Sequence, residues 1–145
     1  MNTDVMFSSK TDQWATPQWF FDELDKEFSF TLDPCADEFN HKCKNYFTKE
    51  IDGLQQNWSG ETVFCNPPYG REIPLWVKKC YEEVNSGNCP CAVMLIPSRT
   101  DTKWFHDYIY KQAEIRFIKG RLKFGDSLNS APFPSMVVVF RKVGG

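Results

Sequence analysis

The feature that most constrains the fold is an apolar run that stops at two consecutive prolines. Residues 62–65 read Thr-Val-Phe-Cys, and Asn66-Pro67-Pro68-Tyr69-Gly70 follow directly. A short apolar run bounded by turn residues predicts a buried strand. Proline has no backbone N–H, so the strand cannot continue beyond this point. The sequence therefore predicts a strand that brings an asparagine and an aromatic ring to one edge of a sheet.

Helical and extended patterns alternate on both sides of this strand. Thr16 suits a helix N-cap and Pro17 suits the first helical position. The first predicted elements are a helix from 16–17, a strand over 30–32 that ends at Asp33-Pro34, a polar stretch over 37–58 with one short helix, and the strand at 62–65. A second helix follows, with Ile73, Trp76, Val77, Cys80 and Val84 on one face. The last elements are a strand over 91–96, a short helix over 104–110, a hairpin of 114–118 and 121–124, and a strand over 136–140.

This order predicts an α/β fold with a mostly parallel sheet and an antiparallel C-terminal edge. A length of 145 residues allows one domain with one core. We expect residues 1–12, which are polar and without periodicity, to form a flexible arm and residues 13–143 to form the domain. No room remains for a separate target recognition domain.

The six cysteines are predicted to be free thiols, because the N-terminus has no pattern of a secretory signal. No Cys-x-x-Cys pair occurs, and Cys35, His41 and Cys43 do not match a common zinc spacing, so we expect no metal site. No apolar run reaches the roughly 18 residues of a membrane span. A cytoplasmic protein without membrane contact is predicted.

Charge is distributed unevenly along the chain. Residues 1–60 hold 5 basic and 11 acidic side chains, whereas residues 99–145 hold 9 basic and 4 acidic ones. A basic segment on an acidic chain is typical either of a surface that faces phosphates or of a solvated hairpin.

The 66–69 turn has the groups to hold an amine. The side-chain oxygen of Asn66 and the carbonyl of Pro67 can accept two hydrogen bonds from one amino group, while Tyr69 offers a ring for stacking. An amine held by both protons directs its lone pair toward an electrophile, which is catalysis by orientation. The alternative for this turn is a simple strand end.

These residues resemble the motif of S-adenosylmethionine-dependent amino-methyltransferases, and their surroundings resemble the small phage-type DNA N6-adenine methyltransferases. The resemblance runs from about Ser9 to Arg141. Its further motifs are residues 14–17, 32–36, 52–54, 97–102, 120–124 and 130–135. It implies a single-domain Rossmann-like methyltransferase that methylates adenine N6 in double-stranded DNA, with Asn66, Pro67, Pro68 and Tyr69 as catalytic residues.

The resemblance also implies where S-adenosylmethionine binds. Thr16-Pro17 at a helix N-terminus suits its carboxylate, and Asp33 at a strand end suits its ammonium group. The implied cofactor-binding residues are Trp14, Thr16, Pro17, Asp33, Pro34, Cys35, Ala36, Asp37 and Asp52, the last two as candidates for the ribose and adenine contacts. The chain departs from the family pattern in having a compressed second and third strand region at 37–50 and no glycine-rich turn after Asp33.

For the target base, the resemblance implies stacking by Tyr69 and by Phe133, with Phe124 as the rival to Phe133 and a core position as the alternative for each. The phosphate contacts implied are Arg99, Lys103, Arg116, Arg121 and Lys123. With so little chain beyond the core, a homodimer is a further expectation. A phage protein of this kind would act in the host-cell cytoplasm.

Two other functions remain open at this stage. The same amine geometry serves methylation of a glutamine side chain or of RNA adenine. A non-catalytic nucleic-acid-binding relic of the fold is the alternative from outside the enzymes.

Overall fold

A six-stranded sheet carries the part of the chain that the computed structural model describes, residues 14–125 and 130–142. The predicted flexible arm at 1–12 lies outside the described residues. The strands are β1 (Leu32–Ala36), β2 (Asn45–Thr48), β3 (Thr62–Cys65), β4 (Cys91–Pro97), β5 (Glu114–Phe117) and β6 (Ser135–Arg141). The helices are α1 (Gln18–Phe28), α2 (Ile73–Asn85), a 3-10 turn at Gly53–Gln55 and a π-helix at Phe105–Ile109.

The strand order is β2-β1-β3-β4-β6-β5. Strands β2, β1, β3 and β4 pair in parallel, and β6 is antiparallel to both β4 and β5. The predicted α/β class, mostly parallel with an antiparallel C-terminal region, is confirmed. After β1 the chain moves to one side for β2 and returns to the other side for β3, so the strand order reverses at β1 and β3. Ligands of such sheets bind outside the carboxyl ends of the strands at this reversal.

The two helices cover opposite faces of the sheet. Phe64 in β3 meets Phe21 of α1 edge to face, with ring centroids 5.1 Å apart. The next residue, Cys65, contacts Cys80 of α2. Neighbouring strand residues point to opposite faces, so α1 and α2 sandwich the sheet. All five apolar positions predicted for one face of α2 are buried, which confirms that helix.

The boundaries near the site differ from the prediction. Helix α1 begins one residue later than expected, because Pro17 takes an extended ψ of 136° and acts as N-cap without a side-chain hydrogen bond. Strand β1 does not end at Asp33-Pro34 but runs to Ala36. Its pairing with β2 shifts between Asp33 and Ala36, and a proline is tolerated at such an irregularity because no ladder N–H is needed there.

Two further predictions were wrong. The polar stretch 37–58 contains the predicted short helix, as the 3-10 turn at Gly53–Gln55, but it also contains strand β2, which has no fully buried residue and so lacks the apolar pattern of a core strand. Residues 121–124 do not form a hairpin with β5, although one edge of β5 is unpaired in the sheet, because Leu122 and Phe124 are buried in the core and the adjoining backbone hydrogen bonds go to Ala131 and Ala15. Over residues 14–125 and 130–142, no helix has the length and apolarity needed to cross a membrane.

Candidate active site

Two adjoining cavities open at the carboxyl ends of β1 and β3, where the strand order reverses. Their volumes are about 460 Å³ and about 400 Å³, within the usual range for a ligand site. Of the residues expected to bind cofactor or substrate, the first cavity is lined by Trp14, Thr16, Asp33, Asp37, Asn66 and Pro67, the second by Pro34, Asp52 and Pro68, and both by Cys35 and Ala36. Pro17 lines neither cavity.

Asp33 places a buried carboxylate on the wall of the first cavity. Only 6% of its surface is exposed. Its two carboxylate oxygens accept backbone N–H bonds from Cys35 at 3.3 Å and from Lys42 at 2.9 Å. Burial raises the pKa of this carboxyl above its ordinary value, and these two hydrogen bonds oppose the rise. A cation in the cavity would stabilise the ionised form.

The amide of Asn66 has a defined orientation. Its Nδ2 donates to the backbone carbonyl oxygen of Trp14 and, at 2.9 Å, to Oγ1 of Thr16. A carbonyl oxygen only accepts, so the contact with Trp14 identifies the nitrogen of the amide. The other atom, Oδ1, is buried and has no hydrogen-bond partner among the described residues. A buried acceptor without a hydrogen-bond partner destabilises a fold by about 1–3 kcal/mol. An acceptor that stays unpaired despite this cost is typical of a group that binds a ligand.

Tyr69 lies in an aromatic cluster, which we define as Trp14, Tyr69, Phe124 and Phe133. Tyr69 is 6% exposed, and its hydroxyl donates to the carbonyl oxygen of Leu95 at 3.0 Å. Its ring centroid is 5.5 Å from that of Phe133 and 6.2 Å from that of Phe124, both edge to face. Phe133 also meets Trp14 at 5.1 Å. The predicted pairing of Tyr69 and Phe133 is therefore a direct ring contact here, without the gap of two stacking distances that an intervening base requires.

The 52–54 segment forms the floor of the second cavity. Asp52 has a left-handed backbone (φ 63°), and its side chain accepts the N–H of Leu54. A Cβ on Gly53 would lie 2.4 Å from the carbonyl oxygen of Pro34, so only glycine fits against the end of β1. The buried indole of Trp58 donates to the Gly53 carbonyl at 2.9 Å. Asp52 is thereby fixed beside the cavity.

The sequence reasoning missed several cavity residues, among them the charged Lys42, Lys49, Glu50 and Glu72. Glu50 lines the first cavity, and Lys49 lines both. They follow β2 directly, so recognising that strand would have placed an acidic residue at its carboxyl end. Asp37, the earlier candidate for the ribose contact, is exposed and accepts the N–H of Phe39 within its own turn at 2.8 Å.

The five predicted phosphate-binding residues do not form one set. Arg116 makes two 2.7 Å hydrogen bonds to the carboxylate of Glu27 and a further one to Glu114. Lys103 pairs with Asp107. Arg99, Arg121 and Lys123 are exposed, and no salt bridge joins them to another described residue. Because its guanidinium is bound to two carboxylates, Arg116 is not available to contact a phosphate.

The cysteines are free thiols, as predicted. The Sγ atoms of Cys35 and Cys65 are 3.7 Å apart below the cavities. Burial raises the pKa of Cys35 to about 11, and it raises the pKa of Cys65 as well. Both thiols stay protonated at neutral pH and act as packing groups. Within the described residues no cluster of three or more metal-ligating side chains occurs.

Comparison with known proteins identifies the family of the chain. A family model described as DNA N-6-adenine-methyltransferase (Dam) matches residues 4–144. The chain belongs to this family. The membership confirms the resemblance drawn from the 66–69 turn and its accompanying motifs.

Named relatives of the DNA N-6-adenine-methyltransferase family occur in bacteriophages. The DNA N-6-adenine-methyltransferase of Haemophilus phage HP1 is 34% identical over 140 residues, covering 91% of this chain and 80% of that protein. The DNA N-6-adenine-methyltransferase of Escherichia phage T1 is 32% identical over 113 residues, covering 77% of this chain and 46% of that protein. A crystal structure of the 23S rRNA methyltransferase ErmE overlaps 68% of this chain and 43% of its own at 16% identity, with a TM-score of 0.44.

Proposed function

We propose that this chain transfers a methyl group from S-adenosylmethionine to the N6 amine of an adenine flipped out of DNA. The observation that carries the proposal is the buried, unpaired Oδ1 of Asn66 beside a cavity with a buried carboxylate. Family membership supports the same reaction.

The two cavities fit the two ends of the cofactor. In the first, Asp33 would pair with the ammonium group, because its buried carboxylate faces a cavity and gains from a cation. Glu50, which follows β2 and also lines the first cavity, would accept hydrogen bonds from the ribose hydroxyl groups. In the second, the side chains of Leu54, Pro68 and Trp76 would enclose the adenine ring, and Asp52 would accept from its amine. Bound there, S-adenosylmethionine supplies an electrophilic methyl group.

The 66–69 turn would hold the acceptor amine. Oδ1 of Asn66 and the carbonyl oxygen of Pro67 accept one N–H each, which turns the nitrogen lone pair toward the cofactor cavity. Each acceptor is fixed before the base arrives, so no reorganisation is needed at the moment of transfer. The extra proton on the methylated amine leaves to water. A side-chain general base is not required.

Base entry would open the aromatic cluster. Tyr69 and Phe133 touch each other, so a base between them displaces one of the rings. Stacking of about 1–3 kcal/mol per base offsets part of this displacement and of the few kcal/mol that extrusion from the duplex costs, and the two hydrogen bonds to the amine add to it. Tyr69 is anchored to Leu95 through its hydroxyl, whereas Phe133 is half-buried and flanked by Pro132 and Pro134. Phe133 is therefore the ring that moves.

Duplex DNA would lie across the basic C-terminal segment. Arg99, Arg121 and Lys123 are the cations available to phosphates, and binding through them would weaken as salt rises. A homodimer would extend this small surface. The reaction would occur wherever the DNA is, in the host-cell cytoplasm for a phage enzyme.

A comparison of acceptors tests the proposal. The protein is incubated with S-adenosylmethionine labelled in its methyl group and, separately, with duplex DNA, RNA of the same sequence and a mixture of proteins. Label in the DNA alone is the expected result. Label in RNA or protein would assign the site to another polymer, and label in none would mean a non-catalytic relic of the fold.

A further inference from the structure

Both N–H groups of the Asn66 amide are held by one short segment that precedes α1. The acceptors are the backbone carbonyl oxygen of Trp14 and Oγ1 of Thr16. The segment is 50 residues or more from Asn66 in sequence. The asparagine itself sits at the end of β3, so two separate parts of the fold meet at its side chain.

These two hydrogen bonds determine which atom of the Asn66 amide, Oδ1 or Nδ2, is directed at a ligand. The terminal torsion of an asparagine has two broad wells, and rotation by half a turn exchanges oxygen and nitrogen. With the nitrogen toward a substrate amine, two donors would face each other, and the carbonyl oxygen of Pro67 would be the one acceptor left in the 66–69 turn. The carbonyl of Trp14 only accepts, so it requires Nδ2, and the hydroxyl of Thr16, which can accept or donate, accepts a second hydrogen bond from the same nitrogen, which leaves Oδ1 for the substrate.

Thr16 does not serve α1 in the way its type suggests. The N-cap is Pro17, and this position makes no side-chain capping hydrogen bond. Thr16 is 4% exposed and lines the first cavity, and its hydroxyl oxygen accepts the hydrogen bond from Asn66. Its burial is explained by the contact with Asn66 and not by helix capping.

We propose that Thr16 is a positioning residue, whose hydroxyl oxygen holds the Asn66 amide with Oδ1 directed at the acceptor amine. The inference rests on the proposed function and adds to it a residue that acts on the amine through Asn66. Thr16 and Asp33 line the same cavity, but the inference gives them different roles: Thr16 acts on Asn66, whereas Asp33 binds the cofactor.

The test removes the hydroxyl while keeping the shape. In Thr16→Val the acceptor is lost and the volume is nearly unchanged, whereas Thr16→Ser keeps the hydroxyl. Thr31→Val is the matched control, because Thr31 also uses its hydroxyl, toward Glu61, but outside the site. At saturating cofactor and DNA, Thr16→Val should lower the rate of methyl transfer by about 10- to 100-fold, the effect of a misplaced catalytic group. Thr16→Ser should recover most of the rate that Thr16→Val loses, Thr31→Val should retain the wild-type rate, and the dissociation constant of the cofactor should stay the same in all three.

A wild-type rate in Thr16→Val would overturn the inference, as would a Thr16→Ser rate as low as that of Thr16→Val. A loss of cofactor affinity that parallels the loss of rate would assign Thr16 to the cofactor instead. If Thr16→Val loses its cooperative thermal transition, Thr16→Ala replaces it, because that change only deletes atoms.

A second readout needs no activity and so separates this inference from the proposed function. NMR measures the exchange of the Asn66 side-chain amide protons with water. They should exchange slowly in the wild type and clearly faster in Thr16→Val, with no change in Thr31→Val. Equal exchange in wild type and Thr16→Val would contradict the inference, even in a protein that methylates DNA. If the wild type shows slow exchange but transfers no methyl group to any acceptor, the inferred orientation of the Asn66 amide stands and the proposed function is wrong.

Discussion

The cofactor side and the base side of the site differ in how ready they are for a ligand. On the cofactor side two cavities are open, and the floor of the second is fixed by the fit of Gly53 against Pro34 and by the Trp58 indole. On the base side the four rings of the aromatic cluster fill the space against one another. The cofactor should therefore bind the free protein, whereas base binding requires the protein to change shape.

The 66–69 turn joins these two sides, and the largest effect is expected there. Asn66→Ala removes the unpaired acceptor, and single-turnover methyl transfer should fall by at least about 100-fold, as when one preorganised hydrogen-bonding group is removed from an active site. Cofactor binding, measured by calorimetry, should be retained because the cavity walls at Asp33 and Gly53 are unaffected. A near-normal transfer rate would remove the turn from the mechanism.

On the cofactor side, Asp33→Asn should weaken cofactor binding by about 30-fold or more, since removing one partner of a buried charge pair costs about 2–5 kcal/mol. Calorimetric titration measures this. Asp37→Asn is the matched comparison: Asp37 lines the same cavity but is exposed, so its loss should cost less than about 1 kcal/mol. Equal losses would place the ammonium contact elsewhere.

The pH dependence provides the control for Asp33. Burial raises its pKa, and the cofactor's ammonium group prefers the ionised carboxylate. As the pH falls through this raised pKa, Asp33 takes up a proton and cofactor affinity should fall, already above the ordinary aspartate value of about 3.9. The dependence should be absent in Asp33→Asn. The same slope in that variant would show that another group titrates.

On the base side, Phe133→Ala should raise the KM for DNA by about 10-fold, because stacking on a base contributes about 1–3 kcal/mol. Phe124→Ala is the comparison. Phe124 is 4% exposed, so its loss should instead lower the free energy of unfolding by about 3 kcal/mol. Steady-state kinetics and urea denaturation separate the two effects. If Phe133→Ala changed stability alone, Phe133 would be a core residue.

The smallest effects are expected at the phosphate-binding surface. Arg121→Ala and Lys123→Ala should each reduce the slope of log affinity against log salt concentration by about 0.9, the value for one phosphate contact. Arg116→Ala should leave this slope unchanged, because its guanidinium is bound to Glu27 and Glu114. Filter binding over a salt series measures all three. A reduced slope in Arg116→Ala would return that residue to the DNA surface.

The sequence predicted the parts of the molecule where local pattern and burial agree. Strand β4 is apolar throughout and buried throughout, and α2 buries the face that its spacing indicates. The 66–69 turn followed from the missing N–H groups of its prolines. In these places a short window of sequence contains the information that determines the structure.

The errors fall where distant contacts decide. Strand β2 is half-exposed, so its pairing with β1 leaves no apolar signal, and Glu50 was missed with it. Residues 121–124 have the alternation of a strand, but their backbone partners are distant in sequence: Ala131 donates to the carbonyl oxygen of Leu122, and Gly125 donates to that of Ala15. Thr16 was assigned to helix capping because no local pattern shows a contact with Asn66, 50 residues away.

The identity of the methylated nucleoside tests the central claim most directly. Duplex DNA is incubated with the protein and S-adenosylmethionine, digested to nucleosides and analysed by mass spectrometry, with Asn66→Ala in parallel. N6-methyldeoxyadenosine from the wild type, and at least about 100-fold less of it from Asn66→Ala, is the predicted result. A methyl group on cytosine, or equal yields from the two proteins, would contradict the account.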